Sequence, residues 1–225
     1  MDPLSSLNPA QREAVLHTEG PLLILAGAGS GKTRVITTRI GHLIANRLAA
    51  PDEILAVTFT NKAAEEMRSR VESLLGEDCR QAWISTFHSL SARLLRREAP
   101  AIGLSRDFVI YDSSDQLSVV KQVLKSLDID DKMLQPRAAL SRISQAKNRM
   151  ETPGDMKSTG WNLRDQQISR VYAGYLKTLA NAGALDFDDL LLKTVELFET
   201  SERVRNYYSH KFRFVLVDEY QDTNR

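Results

Sequence analysis

Lys32-Thr33 and Asp218-Glu219, near opposite ends of a 225-residue chain, are the residue pairs whose types and settings invite chemistry. The first follows Ala26-Gly27-Ala28-Gly29-Ser30-Gly31, in which three glycines alternate with small residues. Glycine admits turns closed to residues with a Cβ, so successive N–H groups of such a loop can converge on an anion at the positive end of a helix dipole. Lys32 would then reach the β- and γ-phosphates of a nucleotide, and the Thr33 hydroxyl would bind Mg²⁺. Ala26 stands where the strict Gly-x4-Gly-Lys-Thr pattern has its first glycine. The second pair ends the apolar run from Phe212 to Val217. Adjacent carboxylates at the end of a buried strand are costly unless a cation or a reacting group uses them. Opposite the loop, Asp218 would hold Mg²⁺ and Glu219 would polarise the water that attacks the γ-phosphate.

The elements that must position these residues are legible as periodic runs. Leu22-Leu-Ile-Leu25 reads as a buried parallel strand entering the loop, and Val35, Ile36, Ile40, Leu43 and Ile44 recur at helical spacing after it. Upstream, Asn8-Pro9 opens a helix to about His17, in which Gln11 is either a surface residue or an amide facing an adenine edge. Ile54 to Thr58 is a second strand, followed by Phe59-Thr60-Asn61 and a helix with Ala64, Met67, Val71 and Leu74 on one face. Trp83-Ile-Ser85 is a third, followed by Thr86-Phe87-His88-Ser89 and the stripe Leu90, Leu94, Leu95. Open α/β sheets bind ligands at the carboxyl ends of their strands. There Phe59 could stack a base while Thr60, Asn61, Thr86 and His88 hold backbone phosphate, the mixture a single-strand binder needs. The plainer readings make Phe59 core, Asn61 a helix cap and His88 structural.

Phe108-Val-Ile-Tyr111 looks like another strand, and from Ser113 to about Gly183 only helical periodicity follows, which predicts an inserted helical subdomain. Its stretch Lys132 to Met150 carries Lys132, Arg137, Arg142, Lys147 and Arg149 without one acidic residue. Such a run is a solvated face or a surface for duplex phosphates. Asp186 is placed to cap the helix that follows, a reading preferred to a metal cluster with Asp188 and Asp189.

Hydrophobic residues at 42% and charged residues at 26% predict a soluble globular chain. No apolar run approaches the roughly 20 residues of a membrane span and no leader pattern opens the chain, which predicts a cytoplasmic protein without a membrane partner. One cysteine, Cys79, excludes an internal disulfide, and the four histidines lie too far apart to suggest zinc. The net charge of +1 leaves nucleic-acid binding to be decided by where charge is placed.

Taken in order, Leu-Asn-Pro-x-Gln, Ala-Gly-Ala-Gly-Ser-Gly-Lys-Thr, Thr-Phe-Thr-Asn-Lys-Ala-Ala, Ser-Thr-Phe-His-Ser, Leu-Asp-Phe-Asp-Asp-Leu and Val-Asp-Glu-Tyr-Gln-Asp-Thr-Asn resemble the UvrD/Rep/PcrA group of superfamily 1 DNA helicases. A loop beginning with alanine is common in that group. The resemblance covers the whole chain and implies an α/β fold: a RecA-like P-loop NTPase domain with a parallel sheet (residues 1–111 and 185–225), interrupted by an all-helical inserted subdomain (112–184). It implies 3′ to 5′ movement on single-stranded DNA, with ATP and Mg²⁺ as cofactors. By motif position it makes Gln11 the adenine reader, Ala26 to Thr33 the phosphate loop, Asp218 and Glu219 the metal and water-activating pair, and Gln221 the γ-phosphate sensor. Phe59, Thr86 and His88 fall in strand-contacting motifs. The group keeps a second motor domain and its arginine fingers beyond the point where this sequence ends, so the resemblance implies a fragment, since one lobe cannot step. Implied partners are single-stranded DNA, single/double-strand junctions and the second motor domain, with room for accessory repair or replication proteins. A helicase-nuclease subunit of the RecB or AddA type, whose insert is usually longer, and a non-enzymatic, nucleotide-gated single-strand-binding module are the alternatives.

Overall fold

The computed structural model describes residues 3–27, 29–159 and 163–223. Ala28 of the glycine loop lies outside the described residues. The fold is α/β, with helices α1 (Pro9–Leu16), α2 (Lys32–Ala45), α3 (Asn61–Leu75), α4 (Phe87–Glu98), α5 (Ser113–Ser126), α6 (Pro136–Asn148), α7 (Pro153–Thr159), α8 (Leu163–Asn181), α9 (Phe187–Thr200) and α10 (Glu202–Lys211). Its strands are β1 (Ile54–Thr58), β2 (Trp83–Thr86), β3 (Val109–Ile110), β4 (Ala184–Leu185) and β5 (Phe214–Val217). They fall into two compact units, Met1–Leu90 with Arg205–Arg225, and Ser91–Val204.

In the first unit, β1 lies between β2 and β5 in a parallel sheet. Flanked on both sides and buried along its whole length, β1 is continuously apolar up to Thr58, as a central parallel strand must be. Ile36, Ile40 and Leu43 of α2 and Met67 and Val71 of α3 pack with Ile54, Ala56, Ile84 and Leu216 of the strands. Because the strands are parallel, their carboxyl ends share one edge. Thr58 lies beside Thr86, and the Asp218 N–H continues the ladder by donating to the Val57 carbonyl at 2.9 Å.

The strand expected at Leu22 to Leu25 is not formed. This segment pairs with no strand among the described residues, and Leu23 and Leu25 are 66% and 87% exposed. A strand is stabilised by a ladder partner, and this segment has none among the described residues. Hydrophobicity registers the burial a segment calls for, not the neighbour that supplies it. Only Ile24 is held, packed with Leu4 and Leu7 against Ala14, Val15 and Val35.

The second unit is built from α5 to α9 about a core that includes Val120, Leu124, Ile143, Ile168, Val171, Tyr175 and Leu179. Between Ser113 and Asn181 the described residues are helical or looped, without a strand. Gly174 lets α8 approach α5 closely: a Cβ there would lie 2.6 Å from a Val123 methyl. Val109–Ile110 forms a strand, as Phe108 to Tyr111 suggested, but it pairs with β4 in a separate parallel ladder and does not join the β1 sheet. The unit reaches beyond residues 112–184 at both ends. Among the described residues no helix is long and apolar enough to cross a membrane.

Candidate functional site

The phosphate-loop residues meet the acidic strand end in the first unit. Gly31, at φ 86°, occupies the left-handed region and precedes α2 without giving it a side-chain cap. The first N–H groups of α2 therefore face outward at the positive end of the helix dipole, where an anion is favoured. A Cβ built on Gly27 or Gly29 would meet nothing within 4 Å, so the loop borders open space. Ser30 closes the turn on itself, its hydroxyl donating to the Gly27 carbonyl at 2.7 Å. The Lys32 ammonium donates to the carbonyls of Ala26 and Gly27 at 3.3 and 3.4 Å and lies 3.7 Å from a Glu219 carboxylate oxygen. Thr33, on the first turn of α2, is half-buried.

β5 delivers Asp218 into a buried position and Glu219 into a strained one. Glu219 has φ 54°, a left-handed conformation uncommon for a residue with a Cβ and enriched at functional sites. Its N–H donates to Asp218 Oδ1 at 3.1 Å, and its carboxylate accepts a short hydrogen bond from Gln221 Nε2. Burial, and then the charge of Glu219, push the Asp218 carboxyl above its ordinary range, more than the Glu219 N–H and Lys32 offset. An acid with a raised native pKa holds its proton more tightly folded than unfolded. Its ionised form therefore opposes folding at neutral pH, and the penalty disappears below the ordinary carboxylate pKa. Asp218→Asn keeps an acceptor for the Glu219 N–H. It should raise the thermal midpoint at neutral pH. The gain should shrink towards pH ~4, where aspartate protonates in any case. Scanning calorimetry across that range checks this, and an unchanged or lowered midpoint at neutral pH would contradict it.

These features fit a magnesium nucleotide: an uncapped helix start, a cation beside it and a buried acid short of positive charge. Thr33 and Asp218 are the residues here whose oxygens could hold such a metal. Among the described residues there is no cluster of three or more His, Cys, Asp or Glu able to hold an ion alone, so phosphate oxygens and water must complete its shell.

Gln11 belongs to the same neighbourhood. Asn8 caps α1, and Gln11 completes a capping box, its Oε1 accepting from the Asn8 N–H at 3.1 Å while Asn8 Oδ1 accepts from the Gln11 N–H at 2.8 Å. The Asn-x-x-Gln spacing at this helix start carries that signal. Gln11 Nε2 also donates to the Ser30 carbonyl at 2.9 Å.

At the same strand edge, Phe59 and Phe87 meet with ring centroids 5.2 Å apart, Phe59 exposed and Phe87 half-buried. Thr60, and not Asn61, caps α3, accepting from the Ala63 N–H at 3.1 Å, while Asn61 is exposed in the first turn. Thr86 is buried, and its hydroxyl accepts from the Ser89 N–H and donates to Ser89 Oγ. It is committed to the start of α4 and does not present its hydroxyl outward. His88 is half-buried.

The basic stretch of the second unit divides. Lys147 is 1% exposed, with its ammonium 2.7 Å from both Asp186 Oδ2 and Asp189 Oδ1. The expectation that it faces DNA phosphate is therefore corrected: a lysine buried between two carboxylates is withheld from solvent. Arg142 lies 4.0 Å from Asp165 and Arg149 3.9 Å from Glu151, both acids lying outside the stretch. Asp186 does cap α9, accepting from the Asp189 N–H at 2.8 Å, and its other oxygen takes Lys147 and the Tyr175 hydroxyl.

Residues 7–225 match the family described as the UvrD/REP helicase N-terminal domain. The chain is 52% identical over 222 residues to the ATP-dependent DNA helicase PcrA of Bacillus subtilis. It is 50% identical over the same length to the proteins of that name from Staphylococcus epidermidis and Staphylococcus aureus. In each case the alignment covers 99% of this chain and 30% of the relative. The chain thus spans less than a third of the length of the curated relatives it matches.

Proposed function

Because the chain belongs to the UvrD/REP helicase N-terminal domain family, we propose that it is the ATP-binding part of an ATP-dependent DNA helicase that moves 3′ to 5′ on single-stranded DNA. The observation that carries this reading is the meeting of Lys32, at the uncapped start of α2, with the Asp218-Glu219 strand end, within 3.7 Å although they come from opposite ends of the chain. Residues 1–111 and 185–225 supply the proposed RecA-like ATPase part, and residues 112–184 the helical insert. The PcrA relatives favour this over a helicase-nuclease subunit.

Lys32 and the α2 N-terminus take up phosphate charge, and Gln11 faces the adenine. Thr33 and Asp218 hold Mg²⁺, which when bound would neutralise charge developing on the phosphates. Glu219 orients the attacking water and accepts its proton, while Gln221, already bonded to that carboxylate, is placed to respond to the terminal phosphate. Phe59 at the shared strand edge offers a stacking face, with Thr60, Asn61 and His88 beside it for backbone contacts. Thr86 contributes by fixing the start of α4, and Arg149, exposed, and Arg142, half-buried, remain the candidate contacts of the basic stretch for duplex phosphate.

Calorimetric titration of the chain with Mg·ADP tests the nucleotide reading. Saturable binding that Lys32→Ala abolishes is expected, and no binding by the parent chain would refute it. The DNA reading predicts that a labelled single strand binds with an affinity that falls with salt, and that Phe59→Ala weakens it by about 1–3 kcal/mol, the worth of one stacked base.

A further inference from the structure

We propose that Gln11 is a positioning residue for the phosphate loop, setting its backbone before any base is bound; this rests on the nucleotide reading above. Both ends of its amide are already engaged. Oε1 accepts from the Asn8 N–H, and Nε2 donates to the Ser30 carbonyl. That carbonyl belongs to the peptide leading into Gly31, whose φ of 86° is the turn that aims the start of α2 outward. Space there is tight, since a Cβ on Gly31 would lie 3.0 Å from Gln11 Nε2. Ser30 in turn holds the Gly27 carbonyl, which also receives the Lys32 ammonium. A continuous line of hydrogen bonds therefore runs from the capped end of α1 through Gln11 and Ser30 to Gly27 and Lys32.

The platform behind this line is firm. Ala14 and Val15 of α1 pack on Val35 of α2, and the buried Arg39 guanidinium on α2 donates to the Ala14 and His17 carbonyls at the far end of α1. A guanidinium on those carbonyls also suits the negative end of the helix dipole. With α1 fixed to α2 at one end, the Gln11 amide fixes the intervening loop at the other. An amide has a further donor hydrogen and acceptor lone pair, so this role leaves room for a base contact.

A ligand with phosphates and no base separates positioning from base reading. Mg·pyrophosphate and Mg·ADP are titrated into the parent chain and into Gln11→Ala, which keeps the Asn8 cap through the Gln11 backbone N–H. Loss of one loop hydrogen bond should weaken pyrophosphate by about three- to tenfold. In the ligand-free chain it should speed amide exchange across residues 29–33 by a similar factor, with the global unfolding midpoint little changed. If ADP weakened while pyrophosphate affinity and loop exchange stayed at parent values, Gln11 would be a base reader alone and the proposal overturned. If the parent chain bound neither ligand, the nucleotide reading itself would fall.

Discussion

Glu219→Gln should leave Mg·ADP and Mg·ATP bound while lowering ATP turnover by about 10²- to 10⁴-fold, the range a positioned proton acceptor contributes. Of the adjacent pair, the Glu219 carboxylate is the one open to a water, with its side chain 39% exposed, whereas Asp218 is buried. Binding should tighten slightly. Lys32 lies 3.7 Å from Glu219 and on two loop carbonyls, so an incoming phosphate must draw it away from a carboxylate it already faces. The pair is partly exposed, at 25% and 39%, which limits its worth to that of a surface ion pair, about 0.2–1 kcal/mol. The gain in affinity is then at most about fivefold. Steady-state hydrolysis and calorimetric binding, measured on the same variant, check both halves. Parent-rate turnover would remove Glu219 from the chemistry, and weakened binding would mean that the carboxylate assists the phosphates.

What the sequence disclosed and what it concealed divide along the range of the interactions concerned. Gly31, Lys32 and Thr33 were legible because a helix start after glycine is a local event. So were the faces of α2 and α3, since Ile36, Ile40, Met67 and Val71 follow the helical period. Leu22 to Leu25 misled because strand formation depends on a partner that no local window contains. Lys147 misled for a related reason. The stretch around it lacks acids, yet its partners Asp186 and Asp189 follow about two helices later in the chain, outside any local window. Thr86 shows a third limit: residue type marks a hydroxyl near a strand end, but only the backbone of Ser89 shows that the hydroxyl is already committed.

Lys147→Ala should destabilise the second unit by about 3–5 kcal/mol, the usual result of removing one partner from a buried ion pair. Lys147, Asp186 and Tyr175 are almost wholly buried, and the ammonium touches both carboxylates at 2.7 Å while the Tyr175 hydroxyl bonds Asp186 at the same distance. Burial works against every charge here. The Lys147 ammonium and the hydrogen bonds around it hold Asp186 below its ordinary pKa against that burial. Burial, reinforced by the charge of Asp186, pushes Asp189 above its ordinary value despite Lys147. Without the ammonium, two carboxylates would share one dry space, so their native pKa values should rise together and their ionised forms should oppose folding. The sign follows: the variant's deficit should be greatest at neutral pH and should narrow as pH falls towards ~4, where the unfolded aspartates also protonate. A cavity adds to the loss in Lys147→Ala, and Lys147→Met fills most of that space without supplying charge. Lys147→Met combined with Asp186→Asn and Asp189→Asn should then recover most of the stability, since asparagine still caps α9 and no buried charge is left unpaired. Urea unfolding of the four chains at neutral and acidic pH measures all of this. A deficit in Lys147→Met that does not change with pH would show that packing, and not charge, holds α6 to the start of α9.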